Sequence, residues 1–140
     1  MVRFALMLLG GLAMAQPVSA GFLDSLLWKK RVFLVFSDDA AAVARQLASL
    51  PLRELGERDL MVLVVPSRGD VRGVAGSLDP LPSPASLRND FGVAHDVPFL
   101  AVLVGKDGGV KARETAPMAA ATLFGLIDQM PMRRQEMQAR

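Results

Sequence analysis

Three continuous apolar runs stand out along the chain, at residues 31–36 (RVFLVF), 60–65 (LMVLVV) and 99–104 (FLAVLV). Each run is short, rich in β-branched or aromatic residues, and bounded by charged or turn-forming residues. Because polar residues do not alternate with the apolar ones, these runs predict strands that are covered on both faces of a sheet.

Apolar residues at helical spacing occupy the intervals between the predicted strands. The clearest series begins after Asp38 and Asp39, either of which suits a helix N-cap, and Pro51 closes or redirects that helix. Ser83 caps another helix, and Pro131 ends the last one. The predicted helices lie at residues 22–28, 40–50, 84–91 and 119–130.

A hairpin and a long irregular segment complete the series. Asp107 and Gly108 are typical of a tight hairpin turn, so residues 110–114 are predicted to form a charged edge strand beside residues 99–104. Repeated glycine and proline predict no regular structure at residues 66–83. The order β-α-β-α-β-β-α predicts a single α/β domain of the thioredoxin type, built on a central four-stranded mixed sheet.

The amino-terminal residues have the layout of a secretory signal peptide. One cation, Arg3, precedes an apolar run of a dozen residues, which is too short for a membrane span of about 20 residues. Small residues favour cleavage after Ala20, with cleavage after Ala15 or a tethered form as alternatives. We therefore expect a periplasmic or secreted protein without a stable membrane span. The predicted signal peptide, domain and tail are residues 1–20, 21–137 and 138–140.

Composition excludes two broad classes of function. The chain has no cysteine, so thiol exchange, thiol peroxidation and thiolate metal sites are excluded. Loss of residues 1–20 removes Arg3 alone, so the 16 basic residues become 15 against 14 acidic ones. This balance predicts no nucleic-acid partner. The basic clusters at residues 29–31 and 133–134 are predicted to be solvated.

Several segments resemble a known family. They are WKKR at residues 28–31, ERDL at 57–60, LR at 87–88, FGV at 91–93, VGKDGG at 104–109, LFGLID at 123–128 and MPMRRQEM at 130–137. These segments are similar to the uncharacterised bacterial family built on domain of unknown function 4174. The resemblance implies a small exported protein with a thioredoxin- or peroxiredoxin-like fold, and related domains occur in animal matrix proteins with sushi repeats. It supplies no catalytic residues, and no cysteine stands at residues 38–41, where redox thioredoxins carry theirs.

Candidate chemistry gathers where a thioredoxin fold would bring two loops together. The loop after the first strand would place Asp38 and Asp39 near His95, Asp96 and Pro98, in the loop before the third strand. We call Asp38, Asp39, His95 and Asp96 the loop cluster, which could bind a hard cation or perform acid–base chemistry. The simpler interpretation is a helix cap beside solvated residues. In this fold Pro98 would be a cis proline that shapes a groove, and the alternative is that the bond persists only because the entry into the strand needs it.

Two further chemistries have weaker support. Ser37 beside Asp38 suggests hydrolysis, but the sequence has neither a glycine-flanked serine elbow nor an oxyanion motif. Met130, Met132 and Met137 could bind cuprous ion, although Met130 falls on the apolar stripe of the last predicted helix. We predict no cofactor and no resident metal.

The leading hypothesis is an exported, non-catalytic thioredoxin-like domain that binds an unknown protein or small ligand. The partner would engage the groove beside Pro98, the segment at residues 66–83, or a basic tail at residues 132–140. The alternative is a cysteine-independent enzyme or metal-handling protein that uses the loop cluster.

Overall fold

One mixed sheet organises the part of the chain described by the computed structural model, which is residues 20–76 and 80–140. The strands are β1 Arg31–Phe36, β2 Leu60–Val65, β3 Arg72–Ala75, β4 Leu100–Val104 and β5 Val110–Glu114. The helices are α1 Ala20–Leu26, α2 Ala40–Ala48, α3 Leu52–Glu57, α4 Pro84–Phe91, α5 Ala120–Asp128 and α6 Pro131–Gln138. The predicted signal peptide lies outside the described residues except for Ala20.

The strands lie in the order β3-β2-β1-β4-β5. β1 runs parallel to β2 and antiparallel to β4, and β3 and β5 pair antiparallel at the two edges. The connection between the parallel strands passes through α2 and α3, as a crossover requires. The predicted mixed α/β sheet is thereby confirmed, but the prediction of four strands is wrong because the sheet has five.

The additional strand, β3, forms within residues 66–83, where the sequence predicted no regular structure. Gly69 and Gly76 have φ values of 86° and 64° and lie outside the strand, one on each side. These two glycines therefore allow the turns on either side of β3, and the residues between the turns can pair with β2. Val74 packs against one apolar face of the sheet. A paired segment of four residues is too short to show a clear periodicity in the sequence.

Two helices begin at prolines that were expected to end or redirect a helix. Pro51 is the N-cap residue of α3, and Pro131 is the first residue of α6. Proline is tolerated at these positions because the first amides of a helix have no intrahelical acceptor. The segment that the sequence analysis describes as a basic tail, residues 132–140, is therefore mostly the helix α6, and its Arg133 is buried.

The sheet carries an apolar cluster on each face. Phe33 and Val35 of β1 belong to one cluster, and Leu34 belongs to the other, because successive side chains of a strand point to opposite faces. Residues of α2, α3 and α5 cover the first face, and residues of α1 and α4 cover the second. Within the described ranges, no helix combines the length and the hydropathy needed to cross a membrane.

Candidate functional site

Ser37, which directly follows β1, links the two loops in which the candidate chemistry was predicted. Its Oγ donates a hydrogen bond to the carbonyl oxygen of Pro98 at 2.6 Å and accepts one from the backbone N–H of Asp39 at 3.0 Å. The residue is buried despite its polar side chain. The loop after β1 and the loop before β4 are therefore adjacent, as expected.

The two aspartates after Ser37 have structural partners. Asp39 is the N-cap of α2, and its Oδ1 accepts from the backbone N–H groups of Ala41 and Ala42 at 3.0 and 3.1 Å. Oδ1 of Asp38 accepts from the backbone N–H of Ser67 at 2.8 Å. Hydrogen bonding from Ser67 lowers the pKa of Asp38 below its ordinary value of 3.8. Asp38 is therefore an exposed anion at neutral pH.

His95 and Asp96 lie in the loop between α4 and β4, and both are exposed. Arg88 supports this loop by donating from Nη1 to the carbonyl oxygen of Ala94 at 3.0 Å. Across residues 20–76 and 80–140, no group of three or more histidine, cysteine, aspartate or glutamate side chains is placed to hold a metal ion. The loop cluster is thus not assembled as a metal site in this part of the chain.

A groove opens at the carboxyl ends of β1 and β2. It encloses about 460 Å³ and is lined by Ser37, Asp38, Val43, Leu47, Val64 and Arg72, among others. The residues of α2 and β2 provide an apolar surface, while Asp38 and Arg72 place opposite charges on the lining. We call this cavity the Ser37 groove. Ser37 and Asp38 line it, whereas Pro98, beside which a groove was predicted, does not.

A second groove lies at the opposite end of β1. It encloses about 320 Å³ between Trp28 in the segment before β1, the hairpin that connects β4 to β5, and the junction of α5 with α6. We call it the Trp28 groove, and its lining includes Trp28, Arg31, Lys106, Lys111, Met130 and Met132. Sequence reasoning did not predict this cavity.

The backbone around the Trp28 groove is tightly constrained. Trp28 has a φ of 65°, in the left-handed region. Its backbone N–H donates a hydrogen bond to the carbonyl oxygen of Lys106 at 2.7 Å. Gly108 in the hairpin turn has a φ of 80°, and a Cβ at this position would lie 2.9 Å from Cδ2 of Leu27. The hairpin can therefore pack closely against the segment that carries Trp28.

Charged residues form a connected ion-pair network beneath this groove. Arg31 is only 1% exposed and donates to both carboxylate oxygens of Glu136, at 3.2 and 3.3 Å. Nζ of Lys106 contacts Oδ2 of Asp59 at 2.9 Å and also Oε1 of Glu136. The members of the network are the cations Lys30, Arg31, Arg58, Lys106 and Arg133 and the anions Asp59, Asp128 and Glu136.

The second half of the network is centred on Asp128. Arg58 and Arg133 donate to its two carboxylate oxygens, at 2.9 Å from Arg58 Nη2 and 3.0 Å from Arg133 Nε. Partial burial alone would raise the pKa of Asp128, but the hydrogen bonds and charges of both arginines outweigh it and lower that pKa. The prediction that the basic clusters are solvated is therefore wrong for Arg31 and Arg133, which are buried.

The sequence contained a signal for this arrangement. The segments WKKR, ERDL, VGKDGG and MPMRRQEM, on which the family resemblance rests, supply every network residue except Asp128, which ends the LFGLID segment. Their common property is a charged residue beside an apolar strand or helix. Their proximity could not be predicted because the two helices that begin at prolines were missed.

Comparisons with known proteins identify the family. The family model described as Domain of unknown function (DUF4174) matches residues 22–136. The chain is also similar to coiled-coil domain-containing protein 80 of Danio rerio, with 32% identity over 136 residues. That alignment covers 83% of this chain but 16% of the fish protein, so the chain spans about a sixth of that relative's length. No solved structure matches the chain.

Proposed function

Because this chain belongs to the family defined by domain of unknown function DUF4174, we propose its function from its own structure: an exported, non-catalytic binding domain with a thioredoxin-like fold. The fold proposal is supported by the parallel pair β1 and β2, joined through helices, next to the antiparallel pair β4 and β5. β3 then extends one edge of this core. Export is supported by the apolar pattern of residues 1–20.

The observation that carries the binding proposal is the shape and chemistry of the Ser37 groove. Its volume of about 460 Å³ falls in the range of about 300–1,000 Å³ typical of ligand sites. Val43, Leu47 and Val64 can bury an apolar side chain, and Asp38 and Arg72 can pair with groups of either charge. This combination suits a peptide segment of a partner protein, which offers both apolar side chains and polar backbone groups.

Catalysis has less support because two candidate catalytic groups in the loop after β1, Ser37 and Asp39, are engaged in structural hydrogen bonds. The Ser37 hydroxyl donates to a carbonyl oxygen rather than to a base, although a nucleophilic serine needs an adjacent base. The carboxylate of Asp39 caps a helix. The absence of cysteine removes thiol chemistry altogether.

The test is a selection of peptides from a random display library on the purified chain. Ala44→Arg is the blocking variant, because Ala44 is exposed on α2 and lines the groove. Ala48→Arg is the matched control, since Ala48 is exposed on the same helix and is not part of the lining. Alanine and arginine are both good helix formers, so the fold should tolerate the two changes equally.

Enriched peptides should bind the wild type and Ala48→Arg with equal affinity and should bind Ala44→Arg about tenfold more weakly or worse. A selection that enriches no peptide contradicts the proposed function. Enriched peptides that bind all three proteins equally would also contradict it, because the groove would then not be their site.

A further inference from the structure

Trp28 is held on the surface at a cost to the backbone. It is the single tryptophan of the chain, its side chain is prominent at 63% exposure, and its φ is 65°. Glycine adopts this conformation freely, whereas a residue with a side chain pays an energetic penalty there. An exposed indole in a strained backbone conformation is a large apolar surface that a ligand could cover.

Part of the lining of this groove is apolar. Met130, Pro131 and Met132, at the junction of α5 and α6, line the same cavity of about 320 Å³. Methionine side chains adapt their shape to a flat ring and make favourable contacts with aromatic groups. The Trp28 groove can therefore offer a small planar group contacts with the indole and with the two thioethers.

The polar side of the groove carries excess positive charge. The charged lining residues are the cations Arg31, Lys106 and Lys111 and the anion Asp107. Asp107 is paired with Lys111, and Arg31 and Lys106 also belong to the ion-pair network. Arg31, which is 1% exposed, also lines the groove, and its Nε–H has no hydrogen-bond partner among the described residues. This Nε–H is itself buried, so an anion in the groove would be attracted by the charge of Arg31 without bonding to this atom.

We propose that the Trp28 groove binds a small organic anion with a planar apolar body, such as an aromatic carboxylate. The planar body stacks against Trp28 and contacts Met130 and Met132, while the anionic group lies on the side of Arg31, Lys106 and Lys111. This site is at the opposite end of β1 from the Ser37 groove, and it stands or falls independently of the peptide-binding proposal. The surplus of cations disfavours a metal ion in the same cavity.

Two matched probes separate charge from shape. Naphthalene-2-carboxylate carries both the planar body and the negative charge, and naphthalene-2-carboxamide keeps the shape without the charge. Binding is measured by calorimetry, and the indole N–H resonance reports the position because the chain has a single tryptophan. We expect the carboxylate to shift that resonance saturably and to bind about tenfold more tightly than the carboxamide. Raising sodium chloride from about 20 to about 300 mM should weaken the carboxylate alone.

Variants then locate the site. Trp28→Gly removes the indole and suits the left-handed backbone, so the fold should persist while affinity falls about tenfold. Lys111→Gln removes an exposed charge from the lining and should weaken the carboxylate about two- to fivefold. The matched controls are Met137→Ala and Arg134→Gln, at exposed positions of α6 outside the lining. Both controls should bind as the wild type does.

Three results would each overturn the proposal. The first is equal affinity for the carboxylate and the carboxamide, and the second is no binding of the carboxylate. The third is that Trp28→Gly binds the carboxylate as tightly as the wild type does. If an acidic peptide shifts the indole resonance and the aromatic carboxylate does not, the groove belongs to a macromolecular partner and the small-ligand proposal is wrong.

Discussion

Arg31 and Glu136 are 105 positions apart in the chain, yet the guanidinium of the first is paired with the carboxylate of the second at 3.2 and 3.3 Å. Arg31 is the first residue of β1 and Glu136 belongs to the last helix, α6. Nη1 of Arg31 also donates to the carbonyl oxygen of Arg58 at 2.8 Å. This pair therefore holds α6 against the first residue of β1.

Replacing Glu136 should destabilise the fold because Arg31 would lose its counter-charge while staying buried. We expect Glu136→Gln to lower the free energy of unfolding by about 1–3 kcal/mol, less than for a fully buried pair because the glutamate side chain is partly exposed. Arg134→Gln on the same helix should change it by less than about 0.5 kcal/mol. Urea denaturation at neutral pH measures both, and equal effects of the two changes would contradict this role of Glu136.

The ion-pair network should make the protein sensitive to acid. In Asp59, Asp128 and Glu136, burial opposes ionisation, but the paired cations outweigh it and lower each pKa below the ordinary values of 3.8 and 4.5. A carboxylate with a lowered folded-state pKa stabilises the fold above its unfolded-state pKa of about 4. That stabilisation is lost as pH falls through the folded-state value.

We expect the urea midpoint to be constant near neutral pH and to fall steeply below about pH 4. Asp128→Asn should be less stable than the wild type at neutral pH and should lose less of its stability in acid. If the variant and the wild type lose stability in parallel, Asp128 is not a source of the acid sensitivity.

The centre of the sheet should be intolerant of cavities. Leu34 of β1 and Val102 of β4 are register partners, and both side chains are fully buried. We expect Leu34→Ala to cost about 2–4 kcal/mol of unfolding free energy because the surrounding strands cannot collapse into the space. Leu52→Ala is the control, since Leu52 is exposed, and chemical denaturation should show little change. A cost at Leu34 below about 0.5 kcal/mol would mean that β1 is not central.

The electrostatic potential around Trp28 can be tested by fluorescence quenching without any ligand. At low ionic strength the surplus of cations should attract iodide and repel caesium, so iodide should quench the single tryptophan more efficiently. Free N-acetyltryptophanamide gives the reference ratio, and Lys111→Gln should move the protein's ratio toward it. A ratio equal to the reference in the wild type would show that Trp28 is in a neutral environment.

The sequence predicts the elements whose signals are local. The apolar runs identify β1, β2 and β4, and α4 has its predicted ends because Ser83 caps it and Gly92 terminates it with a φ of 64°. Asp39 caps α2 for the same local reason. What the sequence does not predict depends on distant partners, such as the pairing of four residues of β3 with β2.

The two grooves also differ in how far the sequence could predict them. The loops that carry Ser37 and Pro98 could be placed side by side once a thioredoxin-type strand order was assumed, and Ser37 does contact Pro98. The Trp28 groove depends on α6 and on the burial of Arg31. The first was not predicted because Pro131 was interpreted as a helix end, and the second because Arg31 follows two lysines. Charged residues at the edge of an apolar run are usually solvated, so only their tertiary partners reveal the exception.

Peptide binding at the Ser37 groove is tested most directly by a map of amide chemical shifts as a selected peptide is added to the isotopically labelled chain. The largest shifts should fall around this groove, at Ala44, Leu47, Val64 and Arg72, and the indole resonance of Trp28 should stay unchanged. Shifts confined to α6 and the hairpin between β4 and β5, with none at the Ser37 groove, would contradict the proposal that this groove is the peptide-binding site.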